Sequence, residues 1–320
     1  MLSQSSKFIL LAALLLGSAC QRLPVPESAQ ADPAQQTGKQ QREATGPYEP
    51  AQTLGTIRNA AVTESSGLVA SRSMPGIYWT HNDSGDGPYL YAIAPTGESR
   101  GVLRVDGARA IDWEDIAAGP GPVANRSYLY VGDIGDNSSA RAEIVVYRIP
   151  EPTSLDDKST KAKPQVSQAT EVIRLRYPDG SHDAEALMVH PSSGDLYIVN
   201  KVTFASPSVY KATAALSTNK VITLTRLGDL KLPSLFGGII TGGDISPDGR
   251  RVALCDYFGG FEAILPQSSA QFDDIWRQRF SSINLGKQKQ REAIAYRLDG
   301  KALLTTSEGK SSPIIEVVRR

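Results

Sequence analysis

The strongest constraint in this chain is a unit that recurs five times with one internal spacing. Its clearest copy spans residues 182–214, HDAEALMVHPSSGDLYIVNKVTFASPSVYKATA. EALMVH (185–190) predicts a strand with small or apolar residues on both faces, and Pro191 to Gly194 a turn. DLYIVNK (195–201) predicts a second strand and SVYKA (208–212) a third. VITLTRLGDLKL (221–232) alternates apolar and polar residues and predicts a fourth, half-exposed strand. Four short antiparallel strands, the innermost buried on both sides, describe the blade of a β-propeller.

The other copies hold the same register. Glu185 stands 11 residues before Leu196, where the second strand begins, and Ser66, Thr241 and Glu292 stand 11 before Ile77, Val252 and Leu303. Glu114 stands 15 before Leu129, because the turn GPGPVANRS carries four extra residues. All five turns are rich in Gly, Pro, Asp or Ser. An accidental series of strand-like segments does not keep one offset through four copies. The expected fold is therefore all-β: a five-bladed β-propeller of four-stranded antiparallel blades over residues 51–320. The last repeat ends in IIEVVRR with no room for its own outer strand, while TLGTIR (53–58) alternates like one and precedes the first repeat. That N-terminal strand is expected to pair beside 313–318, closing the ring and removing an exposed edge. The polar insertion 151–170 is expected to loop out of the second blade.

Residues 1–20 read as an export signal: Lys7, the apolar run FILLAALLL (8–16), then Gly-Ser-Ala-Cys, too short for a stable membrane span. Small residues before Cys20 resemble the bacterial lipoprotein signal, in which that cysteine becomes the lipid-modified first residue. Gly17 stands where that pattern has Leu, which leaves ordinary cleavage after Ala19 open. Gln21 rather than Asp after the cysteine argues against retention at the inner membrane. The expected location is thus lipid-anchored at the bacterial outer membrane, or periplasmic. Residues 21–50, rich in Gln, Ala and Pro, cannot bury enough surface to offset their ordering entropy and read as a disordered, flexible tether. Lys+Arg and Asp+Glu both total 34, so no net charge favours nucleic acid, and membrane contact is expected through the lipid alone. Of the two cysteines, Cys255 lies in the apolar strand RVALCDY and reads as a small buried residue, not part of a disulfide framework.

In a propeller the first strand of each blade lines the central channel, with side chains alternating along it. The register puts Ser66, Glu114, Glu185, Thr241 and Glu292 at one equivalent position, so three carboxylates and two hydroxyls converge on the axis. Uncompensated carboxylates in a narrow channel raise one another's pKa, and a bound cation resolves this. An all-oxygen set without Cys or His points to a hard ion, Ca²⁺. The alternative is that the glutamates splay into solvent or pair with Arg109 and Arg291. The loops after the second strands share the face of this ring, and with Arg109, Asp112, His182, Asp183 and Arg291 they make a polar mouth of mixed charge. There Lys201, Arg109 and Arg291 are the candidates to neutralise charge on a phosphate. Asp133, with His182 as substitute, is the candidate to orient or deprotonate an attacking water. Asp86 and Asp136 read as turn residues, and His190, before a turn proline, as structural.

ESSGLV (64–69), AIDWEDIA (110–117) with LYVGDIG (129–135), HDAEALM (182–188) and REAIAY (291–296) resemble blade motifs of the calcium-activated nucleotidase (apyrase) family. SEG (307–309) is similar to that family's last-blade loop, and pairs such as E-S-G-L also resemble other secreted calcium propellers with esterase-like annotations. The resemblance implies a five-bladed propeller with an axial Ca²⁺ on Ser66, Glu114, Glu185, Thr241 and Glu292, Thr241 replacing a serine. Two function classes follow: a calcium-dependent hydrolase of phosphate anhydrides or esters, taking a small phosphorylated ligand on the channel face, or a non-catalytic propeller binding a ligand or protein partner at the cell envelope.

Overall fold

The computed structural model describes residues 47–234 and 237–320; the expected export signal (1–20) and all of the expected tether (21–50) but its last four residues lie outside the described residues. Five antiparallel sheets form the blades, and their innermost strands adjoin one another in a closed cycle. These are Ser65–Ala70, Trp113–Pro120, Ala184–Val189, Ile240–Ile245 and Arg291–Tyr296, one per blade, and nearly every residue in them is buried. The second strands are Tyr78–Asn82, Ser127–Asp133, Leu196–Asn200, Arg251–Asp256 and Ala302–Ser307. Both faces of these strands meet neighbouring blades, which is why the sequence there is apolar without alternation. The core is accordingly divided into five clusters, one in each gap between blades, such as Trp79, Leu90, Trp113 and Ile116 between the first two. The one helical element among the described residues is the 3₁₀ turn Phe272–Arg277.

The ring closes as the last repeat requires. Gln52–Thr56 pairs antiparallel with Pro313–Val318, with Gln52 opposite Glu316 and Thr56 opposite Pro313. Tyr48 and Glu49 continue this edge: the Glu49 amide donates to the Val318 carbonyl (2.7 Å), and the Tyr48 hydroxyl to the buried Glu262 carboxylate (2.6 Å). Cys255 is fully buried and unbridged.

Two expectations need correction. The insertion 151–170 does not loop out; it straps the outer edge of the first blade. Gln165–Val166 runs parallel to Leu103–Arg104, and the Val102 amide donates to Ser159 Oγ (2.8 Å). Gly101, at φ +117°, lets the strap approach, since a Cβ there would meet the Asp156 carbonyl oxygen at 2.5 Å. Likewise 221–232 is not one strand. Ile222–Thr223 pairs parallel with Leu175–Arg176 on the second blade, and only Thr225–Asp229 completes the third. Both segments cover outer edges that otherwise present unpaired backbone to solvent.

The inner edges face the channel and carry unpaired backbone groups of their own. Side chains satisfy them across blades. Asp115, 1% exposed, accepts from the amides of Ile116 (2.8 Å), Leu187 (2.9 Å) and Gly243 (3.3 Å), joining three blades at the axis. Asp244 accepts from Ile245 and Tyr296 (both 2.8 Å).

Candidate functional site

Every ring residue sits on a β-bulge. Pairing with the second strand slips between Ser65 and Leu68, Trp113 and Asp115, Ala184 and Ala186, Ile240 and Gly242, and Arg291 and Ala293. Ser66, Glu114, Glu185, Thr241 and Glu292 fall in those gaps. A bulge leaves its extra residue unpaired and re-aims the side chain. Here it does so once per blade, at one level of the channel.

A second tier lies directly above. The residue after the end of each second strand is Asp83, Ile134, Lys201, Tyr257 and Glu308. Four of these five, all but Ile134, line the same cavity of about 180 Å³ as Ser66, Glu114, Glu185 and Glu292, together with Asn137. The lining holds five carboxylates and one ammonium. Lys201 donates to Glu185 and to the Tyr257 hydroxyl (2.8 Å), with its ammonium 5.1 Å from the Tyr257 ring centre. Burial opposes its charge, but Glu185 and Tyr257 more than offset that and hold the ammonium above its ordinary pKa.

Lys201 balances only one side of the cavity. One oxygen each of Asp83, Asp112 and Glu114 lies within 4.8 Å of the other two, and the charges of Lys201 and Arg141 offset only part of their repulsion. Burial pushes Glu114 well above the ordinary carboxylate range, and the nearby charges of Glu185, Asp83 and Asp112 add to it. Asp112 is pushed up to about 6 and Glu185 to about 7, in both cases chiefly by burial; Glu292 also rises well above its ordinary value. Gly135 makes the cluster possible, since a Cβ there would stand 2.1 Å from Glu114 Oε1 and 2.5 Å from Asp112 Oδ2.

Several expected site residues stand elsewhere. Thr241 does not line the cavity; its hydroxyl donates to the Arg291 carbonyl (2.9 Å). Ser66 lines it, but its hydroxyl donates to the Glu114 carbonyl (2.8 Å). Arg291 immediately precedes a ring residue, so it points away from the channel. It is 0% exposed, donates to the carbonyls of Leu285 and Gly286, and occupies the position that Trp113 and Ile240 hold in their blades. Arg109 is exposed and absent from the cavity lining. His182 contacts Asp179 (3.0 Å) and the Tyr210 hydroxyl (2.9 Å), also outside the cavity. Asp133, fully buried, accepts from the Ile111 and Asp112 amides (3.2 and 3.3 Å) and pairs with Arg141 (2.9 Å). Its counterpart Asn82 accepts from Thr63 and Glu64 in the same way, at 2.8 and 3.0 Å. The position holds the loop entering the inner strand, and in the second blade its charge also pairs with Arg141. Lys201, Glu114, Glu185 and Glu292 do meet in the cavity; Asp83, Asp112, Tyr257 and Glu308 join them.

Fold and site together define a five-bladed propeller with a carboxylate-lined axial cavity. No family model matches the chain, and no curated protein matches it. Among solved structures it is similar to XC5397 from Xanthomonas campestris, described as a gluconolactonase: 12% identity, TM-score 0.48, covering 84% of this chain and 89% of that one. It is also similar to U3-55K (9%, TM-score 0.41, 85% and 100% covered) and to the RRP9 WD40 repeats (9%, TM-score 0.41, 84% and 97% covered). None of these likenesses bears on substrate or partner.

Proposed function

We propose that the cavity holds a divalent cation, Ca²⁺, and that the protein is a calcium-dependent hydrolase of phosphate anhydrides or esters, exported and lipid-anchored through Cys20. The observation that carries the reading is the close cluster of Asp83, Asp112 and Glu114. Oxygens that share one Ca²⁺ at ~2.4 Å stand at most ~4.8 Å apart, and the three carboxylates meet that limit. The donors are all oxygen, which fits a hard ion, and the glycine at 135 leaves room for two of them. Ser66, Glu185 and Glu292 complete the wall around it. Thr241 supports the floor from behind by fixing the Arg291 carbonyl.

A divalent ion in such a site supplies Lewis acidity toward a phosphoryl oxygen. The chain's own residues do the remaining work. Lys201, held by Glu185 and Tyr257, is the single fixed cation of the lining and faces anionic groups that enter from the mouth. Tyr257 and Asn137 offer donors at the rim. The test is turnover of nucleoside di- and triphosphates and simple phosphate esters by folded, Ca²⁺-loaded protein, with chelator as the control. Chelator-sensitive turnover that falls with Glu114→Gln supports the reading. Absence of any calcium-dependent turnover supports a propeller that binds a ligand or protein partner without catalysis. One observation favours that second reading: Asp133 and His182, the groups suited to activating water, are bonded elsewhere.

A further inference from the structure

Net charge zero hides a contrast between the acidic axial cavity and one cleft on the opposite face. The acidic cavity opens where the second strands end. On the opposite face, where first strands turn into second strands and third strands finish, a cleft of about 640 Å³ lies between the fourth and fifth blades. Its walls carry Arg250, Arg251, Lys301, Arg319 and Arg320 against two acids, Asp248 and Asp299. Arg319 is paired with Glu262 (2.6 Å), Arg320 with Glu49 (2.8 Å), and Arg251 more loosely with Asp248 and Glu262 (3.6 and 3.9 Å). Asp299 is taken by Arg297 (3.0 Å). Two cations have no direct acidic partner among the described residues, although Lys301 acts on Asp299 through space. The Arg250 guanidinium donates only to the carbonyls of Leu265 (3.1 Å) and Pro266 (2.8 Å), and the exposed Lys301 ammonium makes no hydrogen bond or ion pair among the described residues. Arg251, 9% exposed, keeps a buried Nη1 with no hydrogen-bond acceptor.

The N-terminal segment enters the domain on this same face. The Arg320 amide donates to the Pro47 carbonyl (2.9 Å), and Tyr48 bridges Arg319. Residues 21–46 carry three basic and three acidic side chains, so they bring no net negative charge to the cleft. This inference rests on the lipid anchor proposed above: phosphates of that membrane can neutralise the cleft, because basic clusters beside a membrane-directed segment bind anionic headgroups. We propose that this cleft docks the domain on an anionic phospholipid surface, through Arg250 and Lys301, with the acidic cavity turned away from the bilayer.

The test uses the full chain carrying Cys20→Ser, so that no acyl chain contributes, and compares phosphatidylglycerol vesicles with phosphatidylcholine vesicles. Insertion by the apolar run 8–16 beside Lys7 is common to every variant, so the comparison between variants isolates the cleft. Preferential, salt-sensitive partition into phosphatidylglycerol is expected. Removing both charges with Arg250→Gln and Lys301→Gln should lower it about thirtyfold. Lys301→Glu alone, at an exposed side chain, should lower it without altering folding. Lys310→Glu, the same change on the cavity face, should not. No preference for phosphatidylglycerol, or an equal loss with Lys310→Glu, overturns the proposal. So does displacement from vesicles by inorganic phosphate at low millimolar concentration, which would make the cleft a site for soluble phosphate.

Discussion

Removing divalent cations should make this protein more stable at pH 5 than at pH 8, the reverse of the usual carboxylate behaviour. Glu185 has its pKa raised from 4.5 to about 7 in the folded state, chiefly by burial, and Asp112 from 3.8 to about 6. Folding therefore takes up protons in this range. The stabilisation is complete below the unfolded values and is lost as pH rises through about 6 to 7. For Glu185 the rise corresponds to about 3 kcal/mol, and Asp112, partly exposed, adds about 1 kcal/mol after solvent screening. Asp244, raised to about 7 by burial, acts in the same direction but lies away from the cavity. Carboxylates held below their ordinary values, such as Asp195 and Asp299, lose their contribution only under more acid conditions. Fully buried His81, lowered to about 4, stays neutral in the fold and offsets about 2 kcal/mol of the gain at pH 5, which leaves the balance with the raised carboxylates. At ~2 °C per kcal/mol for a domain of this size, chelated protein should melt roughly 5–15 °C higher at pH 5 than at pH 8. Saturating Ca²⁺ should remove most of the difference, raising the melting temperature far more at pH 8, because protons compete for the same oxygens. Scanning calorimetry with chelator and with Ca²⁺ measures both. A chelated protein as stable at pH 8 as at pH 5, or a larger Ca²⁺ effect at pH 5, would refute the account of the cavity.

Gly135→Ala should leave the fold intact, since its Cβ meets side-chain ends, yet weaken Ca²⁺ binding at least ~10-fold by titration calorimetry, ~1.4 kcal/mol. Asp133→Asn should retain calcium-dependent activity within a few-fold, because Asn82 already makes the equivalent bonds; a complete loss would restore Asp133 as the water-activating group. Deleting residues 47–56 should expose the edge of Pro313–Val318 and abolish cooperative unfolding, whereas a monomer with an unchanged melt would contradict closure by that strand. Trp113→Ala, in the gap between the first two blades, should cost about 3–5 kcal/mol in denaturant unfolding.

The architecture was legible because propeller blades repeat, and an 11-residue offset read four times over locates strands that propensity alone leaves ambiguous. Ring closure followed from counting: the last repeat lacked a strand and the first had one to spare. What escaped was the fate of the outer edges. The strap from 151–170 and the break at Leu224 depend on which blade offers an open edge nearby, and no local pattern in EPTSLDDKSTKAKPQVSQAT encodes that.

The site was legible in one tier and hidden in the other. Ring position was fixed by register, so Glu114, Glu185 and Glu292 were found directly. The same register also marks the residue that ends each second strand, Asn82, Asp133, Asn200, Asp256 and Ser307, and the one after it. Comparing blades at these two positions separates their roles. The first is polar in every blade and buried, and in the first two blades it bonds the loop entering the inner strand. The second is free to vary and supplies Asp83, Lys201, Tyr257 and Glu308 to the cavity. The chemistry of Asp133 in one blade suggests a base, whereas its position across five blades matches residues that hold the loop entering the inner strand. Arg291 follows the same logic: one residue from a ring position, its side chain leaves the channel and bonds the Leu285 and Gly286 carbonyls. In a chain built of repeats, a residue's place in the register thus constrains its role before its chemistry does. Asp112 shows the limit, since its counterpart Asp183 bonds the Asp136 amide (2.8 Å) and only the neighbouring Gly135 lets Asp112 approach Glu114.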